Sequence, residues 1–321
     1  MMGFLQGLPR LRPLAKGAIS FVAPNIRAHT TTELGAAFAS NCYSIFLRQI
    51  SILHAAAGVD KVPAVVAELG PGSSFGIGFA ALICGAEKYY ALDLLDCTDV
   101  DRNLQVFDEL VALFRARAPI PATGVHSLRF PDLASYEFPE FLCLDTGPAF
   151  EARIAGIRRD IAANAGSFVK SVAPWTEHSL LAPDSVDWIF STSVLEHVDD
   201  IASAYRAFAH WLKPGGYSSH LIDFDSHGTA QAWNGHWAMD KAAWFVLRGR
   251  RPYLLNRLPY SEHARLAREN GFVTLTEMRN KRFDGLIAEE FTPSFRAISD
   301  EDARTRMVYW VSRLEPTGQL Y

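Results

Sequence analysis

Apolar residues follow two alternating rhythms along this chain. Short apolar runs suit buried strands at Ala64-Val65-Val66-Ala67, Lys88-Tyr89-Tyr90-Ala91-Leu92, Ser167 to Val172, Val186 to Ser191, Tyr217 to Phe224 and Phe272 to Met278. Between them apolar residues return every three or four positions, the helical repeat. Leu34, Phe38, Tyr43, Phe46, Leu47, Ile50 and Leu53 predict a helix over Thr32–Ala57, with an N-cap signal in Thr30-Thr31-Thr32-Glu33 and a stop at Gly58. Further helices are predicted over Val106–Ala116, Ile154–Ala165 and Ala202–Leu212, the last ended by Lys213-Pro214-Gly215-Gly216. Another is capped by Ser261 and stops at Asn270-Gly271. Met307 to Leu314 reads as a final strand, antiparallel to its neighbour. Strands that alternate with helices predict an α/β domain whose mostly parallel sheet is covered on both faces.

The passage from the first strand into the helix after it carries the chemistry. Val65 to Gly78 reads VVAELGPGSSFGIG: a strand ending in Glu68, a turn through Gly70, Pro71 and Gly72, then a helix start. Glycines let a ligand approach the backbone, and the free N–H groups of a first helical turn attract anions. In open α/β sheets such a turn holds a nucleotide-like cofactor. A dinucleotide would bring a pyrophosphate toward Glu68, whereas S-adenosylmethionine brings an ammonium and a sulfonium, so the carboxylate favours the second ligand. The third glycine of a dinucleotide fingerprint would fall at Phe75, and glycine stands instead at Gly76 and Gly78. Asp93, at the end of the second strand, is placed to accept hydrogen bonds from a ribose, which suits either cofactor.

Composition narrows the partners. The chain has 321 residues, 49% of them hydrophobic and 21% charged, with a net charge of -4, so it reads as an ordinary globular protein with no general attraction for nucleic acid. No apolar run approaches the roughly 18 residues of a membrane span. Cys42, Cys84, Cys97 and Cys143 are scattered, without a CxxC pair, as expected of thiols in a reducing compartment; a cytoplasmic location follows. Residues 1 to 32 hold Arg10, Arg12, Lys16 and Arg27 but no acid, and Pro9, Pro13 and Pro24 interrupt them. They read as a loosely packed extension rather than a targeting segment.

Three segments in order resemble the class I S-adenosylmethionine-dependent methyltransferases. Glu68-Leu69-Gly70-Pro71-Gly72 is similar to their first motif, and Asp93 to the acidic end of their second strand. Pro183 to Asp200, read PDSVDWIFSTSVLEHVDD, together with Leu212-Lys213-Pro214-Gly215-Gly216, is similar to their fourth strand and following helix. The likeness spans about residues 61 to 225. It implies a Rossmann-like fold with a mostly parallel seven-stranded sheet and helices on both faces. It also implies S-adenosyl-L-methionine as cofactor, with Glu68, Gly70, Pro71 and Gly72 at its methionine end, Asp93 on the ribose, and Ser191 and Thr192 near the methionine part. The family's acidic-apolar pair after the third strand is replaced by Ala173-Pro174-Trp175, where Trp175 either stacks on adenine or belongs to the core.

The division expected is a helical extension over 1–60 and a methyltransferase domain over 61–321, with a substrate cover inserted at about 225–260. That insert holds Trp233, Trp237 and Trp244, and the basic run Arg248-Gly249-Arg250-Arg251. It reads either as an aromatic pocket for a sugar-like or polyol acceptor, with the arginines on an anionic group, or as a small satellite core with a surface turn. A hydroxyl acceptor needs a base, and His236 or His197 is the candidate, as base or orienter. His220, Asp223, Asp225 and His227 lack a compact ligand motif and alternate along a strand, so no metal is expected. A nicotinamide-dependent oxidoreductase and a non-catalytic S-adenosylmethionine-binding protein are the alternatives.

Overall fold

The computed structural model describes residues 9–22, 38–96, 99–122, 130–251 and 253–316. Seven strands form one sheet: β1 Val65–Leu69, β2 Lys88–Leu92, β3 Val169–Val172, β4 Val186–Thr192, β5 Leu212–Asp223, β6 Phe272–Lys281 and β7 Thr305–Leu314. Their order is β3-β2-β1-β4-β5-β7-β6. The five strands from β3 to β5 pair in parallel, and β7 runs antiparallel to both β5 and β6. The order reverses at β1, which lies between β2 and β4. That switch point, at the carboxyl ends of the strands, is where an open α/β sheet leaves a crevice for a ligand.

Helices cover both faces. Helix α1 Leu11–Ser20 stands apart from the sheet; on one side of it α2 Ala39–Ala57, α3 Gly76–Ile83, α4 Val100–Arg115 and α5 Pro148–Ala163 pack in one buried cluster with Val66, Tyr89, Trp188 and Phe190. On the other, α6 Ile201–Trp211 and α8 Tyr260–Glu269 bury Tyr205, Phe208, Trp211 and Leu266 against Ala67, Leu69, Ile189 and Trp310. Alternate residues of β1 thus go to opposite clusters, as the two-residue period of a strand requires. The short α7 Lys241–Arg248 lies within the insert, and α9 Asp300–Arg304 precedes β7.

Helix boundaries differ from the periodic reading where a local signal was passed over. The helix expected from Ile154 starts at Pro148, because proline at the first helical position costs no hydrogen bond. The helix expected from Val106 starts at Val100, where the Asp99 side chain accepts the Arg102 N–H at 3.0 Å. The helix expected to be capped by Ser261 begins instead at Tyr260, after Pro259. Strand β5 begins at Leu212 and contains the expected helix stop. A register shift between its pairs with Val186 and Trp188 absorbs the turn at Gly215, φ 82°. The predicted N-cap at Thr30 to Glu33 lies outside the described residues.

The amino-terminal segment is also less loose than expected. Tyr43, Phe46, Leu47, Ile50 and Leu53 of α2 are fully buried, so this helix belongs to the core of the domain. Helix α1 lies across α7. A Cβ on Gly17 would stand 2.1 Å from the Leu247 carbonyl oxygen, so only glycine permits that approach. The Arg250 N–H donates to Ser20 Oγ at 2.8 Å, and Pro9 bridges to Ala230. Residues 9–22 therefore rest on the insert rather than on the sheet. Among the described residues, no helix is long and apolar enough to cross a membrane.

Candidate active site

The glycine turn sits at the end of β1 beside β4. Gly70 and Gly72 hold φ of 69° and 73°, the left-handed region that side chains resist, and Pro71 between them is buried. The Gly70 N–H donates to the Leu92 carbonyl at 2.8 Å, tying the turn to β2. A Cβ on Gly70 would lie 2.5 Å from a methyl of Val194, so the turn packs directly on the segment after β4. Asp93 closes the other side. Its Oδ1 accepts from the Leu94 amide at 2.6 Å and its Oδ2 lies 3.4 Å from the Gly72 amide. Burial raises the Asp93 pKa, against the pull of those amides.

Glu68 is 2% exposed and lies beneath the turn. Tyr89 donates its hydroxyl to Oε2 at 2.7 Å, and burial pushes the carboxyl up to about 8. The acid is thus neutral over most of the physiological range until a cation comes near. A cradle of two positive-φ glycines with a buried acid below and a half-buried carboxylate at its rim fits a cationic, ribose-bearing ligand better than a pyrophosphate.

Two of the expected ligand residues are committed elsewhere. Trp175 is 6% exposed and packs with Leu69, Leu92 and Leu181; its backbone N–H donates to the Asp93 carbonyl at 3.0 Å. Its ring belongs to the core. Ser191 is fully buried, and its hydroxyl pairs with His220 Nδ1 at 2.7 Å, while Ser218 takes the other ring nitrogen. One residue beyond, Thr192 Oγ1 accepts from Gln49 Nε2 at 3.1 Å. Gln49 comes from the buried face of α2 and leaves its own Oε1 unpartnered, as Ser193 leaves its Oγ. These polar groups line the end of β4, and a glutamine within an apolar helical stripe was the sequence signal for one of them.

The segment after β4 forms the other wall. Leu195–His197 is a single 3-10 turn. The insert holds it in place: the Asn256 amide donates to the Leu195 and Val198 carbonyls at 2.7 and 3.0 Å, and the Asn256 N–H to the Glu196 carbonyl at 2.8 Å. Glu196 is 3% exposed, and neither of its carboxyl oxygens makes a hydrogen bond of ordinary geometry. His197 Nδ1 lies 2.7 Å from the Leu254 carbonyl and 3.0 Å from that of Tyr253. Carbonyls only accept, so Nδ1 carries the proton and Nε2 keeps its lone pair. Burial and the neighbouring His227 lower the His197 pKa to about 4.

His236 is 2% exposed, with Nδ1 unpartnered and its ring 4.6 Å from that of Trp237. Burial and the charge of Arg257 hold its pKa well below the usual histidine range. His236 and Glu196 share a small cavity of about 10 Å³ with Asp223, Asp225 and Arg257, room for about one water. A larger hollow, about 280 Å³, lies along the edge strand β3 between Asp96 and Lys170 and contains no residue of the glycine turn.

The aromatic insert is mainly packing. Trp237 is fully buried and donates Nε1 to the Arg257 carbonyl at 2.9 Å, Trp233 is 6% exposed, and Trp244 carries the Arg257 guanidinium 4.5 Å above its ring. Arg248 pairs with Asp199 at 2.6 Å, and Arg251 donates to the Pro13 carbonyl. The satellite-core reading of these residues describes them.

Strand order, switch point and glycine turn define a Rossmann-like α/β domain of the methyltransferase type. Residues 140–219 match the family described as Methyltransferase domain. The chain is 28% identical over 130 residues to a ubiquinone biosynthesis O-methyltransferase of Proteus mirabilis, covering 39% of this chain and 47% of that protein, so it spans about half the length of this curated relative. Among solved structures it is similar to a phosphoethanolamine N-methyltransferase 2 of Haemonchus contortus in complex with S-adenosyl-L-methionine (14% identity, 86% of this chain, 57% of that one, TM-score 0.41). It is similar also to an S-adenosylmethionine-dependent methyltransferase of Mesorhizobium loti (15% identity, 83% and 97% coverage, TM-score 0.39). The match places a methyltransferase domain within this chain.

Proposed function

We propose that this chain methylates an oxygen of a small or medium-sized metabolite, and that the acceptor hydroxyl is an acidic one, phenolic or enolic, rather than that of a sugar or polyol. S-adenosyl-L-methionine, when bound, supplies an electrophilic methyl group. The protein's part is to hold the donor, align the acceptor and take its proton. Gly70, Pro71 and Gly72 cradle the methionine end over the buried charge of Glu68, and Asp93 receives the ribose. The acceptor enters opposite, between the Leu195–His197 turn and His236.

The state of the two histidines carries the choice of acceptor. Both are neutral at pH 7 and offer an unprotonated ring nitrogen. A weakly basic, buried imidazole takes a proton more readily from a phenol (pKa about 10) than from an aliphatic hydroxyl, whose pKa lies near that of water. The tryptophans and arginines that suggested a sugar are engaged in packing and ion pairs. The relative from Proteus mirabilis, an O-methyltransferase by name, agrees with oxygen as the acceptor. The acceptor is a small molecule on this reading, with no nucleic acid or integral membrane partner, and Cys42, Cys84 and Cys143, none of them in a disulfide, favour a cytoplasmic setting.

The test is a panel of phenols, enols and polyols incubated with isotope-labelled methyl donor. Label is expected in base-stable phenyl or enol ethers, and His236→Ala is expected to lower turnover by roughly 10²- to 10³-fold with donor binding unchanged. Label in polyols overturns the acceptor class. Donor binding without labelling of any acceptor pool points to the non-catalytic alternative.

A further inference from the structure

We propose that Glu196, His197 and His227 form a binding site for one divalent cation, at the acceptor side of the glycine turn. The proposal rests on the methyl-transfer reading only for what the ion would do there, which is to hold the acceptor oxygen; His197 is then its ligand, and His236 alone is left as the base. One potential ligand atom from each of the three residues lies within 4.8 Å of the others. They come from two places in the chain. Glu196 and His197 follow β4, and His227 stands in the bend after β5 with a positive φ of 47°. Neighbouring parallel strands deliver both segments to the same end of the sheet.

Two further observations point to a ligand. Glu196 is 97% buried, yet neither carboxyl oxygen makes a hydrogen bond of ordinary geometry, with only the Glu196 and Asp223 amides close by. Buried carboxyl oxygens are ordinarily satisfied, and an unmade partnership here marks a missing one. His197 supplies the second. Its Nδ1–H is fixed by the Leu254 and Tyr253 carbonyls, so Nε2 presents a lone pair in a set direction. A metal-bound histidine shows this same arrangement, with its other ring N–H given to a backbone carbonyl.

Asp223 completes the surroundings. Its Oδ2 lies 3.5 Å from His227 Nε2, while its Oδ1 accepts the Asp225 N–H at 2.9 Å. Asp223 thus orients the imidazole that the ion would meet. Two imidazoles and one carboxylate suit Co²⁺ or Zn²⁺, and more weakly Mn²⁺, better than Ca²⁺ or Mg²⁺, which prefer oxygen alone. His227 is the most exposed of the three, so the ion's remaining positions open toward the acceptor side.

Sequence alone hid the site. Its ligands are 31 positions apart at the extremes, Glu196 to His227, without the compact spacing of a metal motif. The group weighed from the sequence, His220 to His227, shares only His227 with it. His220 is tied at both ring nitrogens by Ser191 and Ser218.

The full-length protein, stripped with a chelator and dialysed, is titrated with Co²⁺ and followed by ligand-field absorbance and calorimetry. One Co²⁺ per chain is expected, competed by Zn²⁺ and Mn²⁺ and indifferent to Mg²⁺. Glu196→Gln and His227→Ala are expected to weaken binding at least roughly tenfold. Their circular dichroism and their affinity for S-adenosylhomocysteine serve as folding controls. Should a variant fail these controls, His197→Gln, which keeps a donor toward Leu254, is read in its place. The proposal is overturned if the wild type binds none of the three ions, or if folded variants bind Co²⁺ as tightly as the wild type. Donor binding on the same samples separates the two readings: donor bound without ion refutes the cation site alone, and neither bound refutes the methyl-transfer reading as well.

Discussion

Gly70→Ala is expected to remove measurable donor binding while leaving the domain folded. Alanine at φ 69° carries the steric penalty of the left-handed region, about 1–2 kcal/mol. Its Cβ would also lie 2.5 and 2.9 Å from the two methyls of Val194, a short β-branched side chain that cannot swing aside. Crowding of that kind costs about 1–3 kcal/mol. The turn sits at the sheet's end, so it relieves the clash by moving away from β4, and the cradle opens. Affinity for S-adenosylhomocysteine should fall at least about 100-fold, which corresponds to about 2.7 kcal/mol, within the summed strain. Calorimetric titration reads the affinity and thermal unfolding reads the fold. Unchanged affinity would mean that the turn does not touch the donor.

Glu68→Gln should make the protein more stable and a poorer donor binder, and the pH dependence shows why. The folded pKa, about 8, stands above the unfolded value of 4.5. Below 4.5 both states hold the proton and the group costs nothing. As the pH rises toward 8 the unfolded chain releases its proton while the folded one keeps it, so stability falls by about 1.4 kcal/mol per pH unit and then levels off. The total is about 5 kcal/mol as an upper figure. Glutamine mimics the protonated acid, and its carbonyl still accepts from Tyr89. Wild type and variant should therefore melt alike at pH 4 to 5 and diverge above it, the variant unfolding several degrees higher at pH 9. The variant has no charge to offer an ammonium or sulfonium, so its donor affinity should drop at pH 8. Parallel melting curves across that range would show that Glu68 is ionised at no cost in the fold.

Much of this architecture was legible in the pattern of apolar positions. Alternation predicted the parallel strands, and the turn through Gly70 and Gly72, with Glu68 before it and Asp93 beside it, was placed by the residue types that a tight turn demands. What pattern could not carry is direction. Ser191 and Thr192 are adjacent at the end of β4, yet one turns to His220 and the other to Gln49, a choice made by partners far away in the chain. Trp175 follows the third strand where an adenine contact was expected, but the apolar space beside Leu69 and Leu181 takes its ring. The insert's tryptophans read as well for a pocket as for a core until their burial was known. Glu196 and His227 meet only because β4 and β5 are neighbours, a fact of topology that no local spacing encodes.

The most direct test of the account is a titration of the wild-type chain with S-adenosyl-L-methionine and, separately, with reduced nicotinamide dinucleotide. Saturable binding of the methyl donor at one site per chain is expected, competed by S-adenosylhomocysteine and lost in Gly70→Ala, with no binding of the dinucleotide. Saturable dinucleotide binding at the glycine turn, with none of the methyl donor, would contradict it.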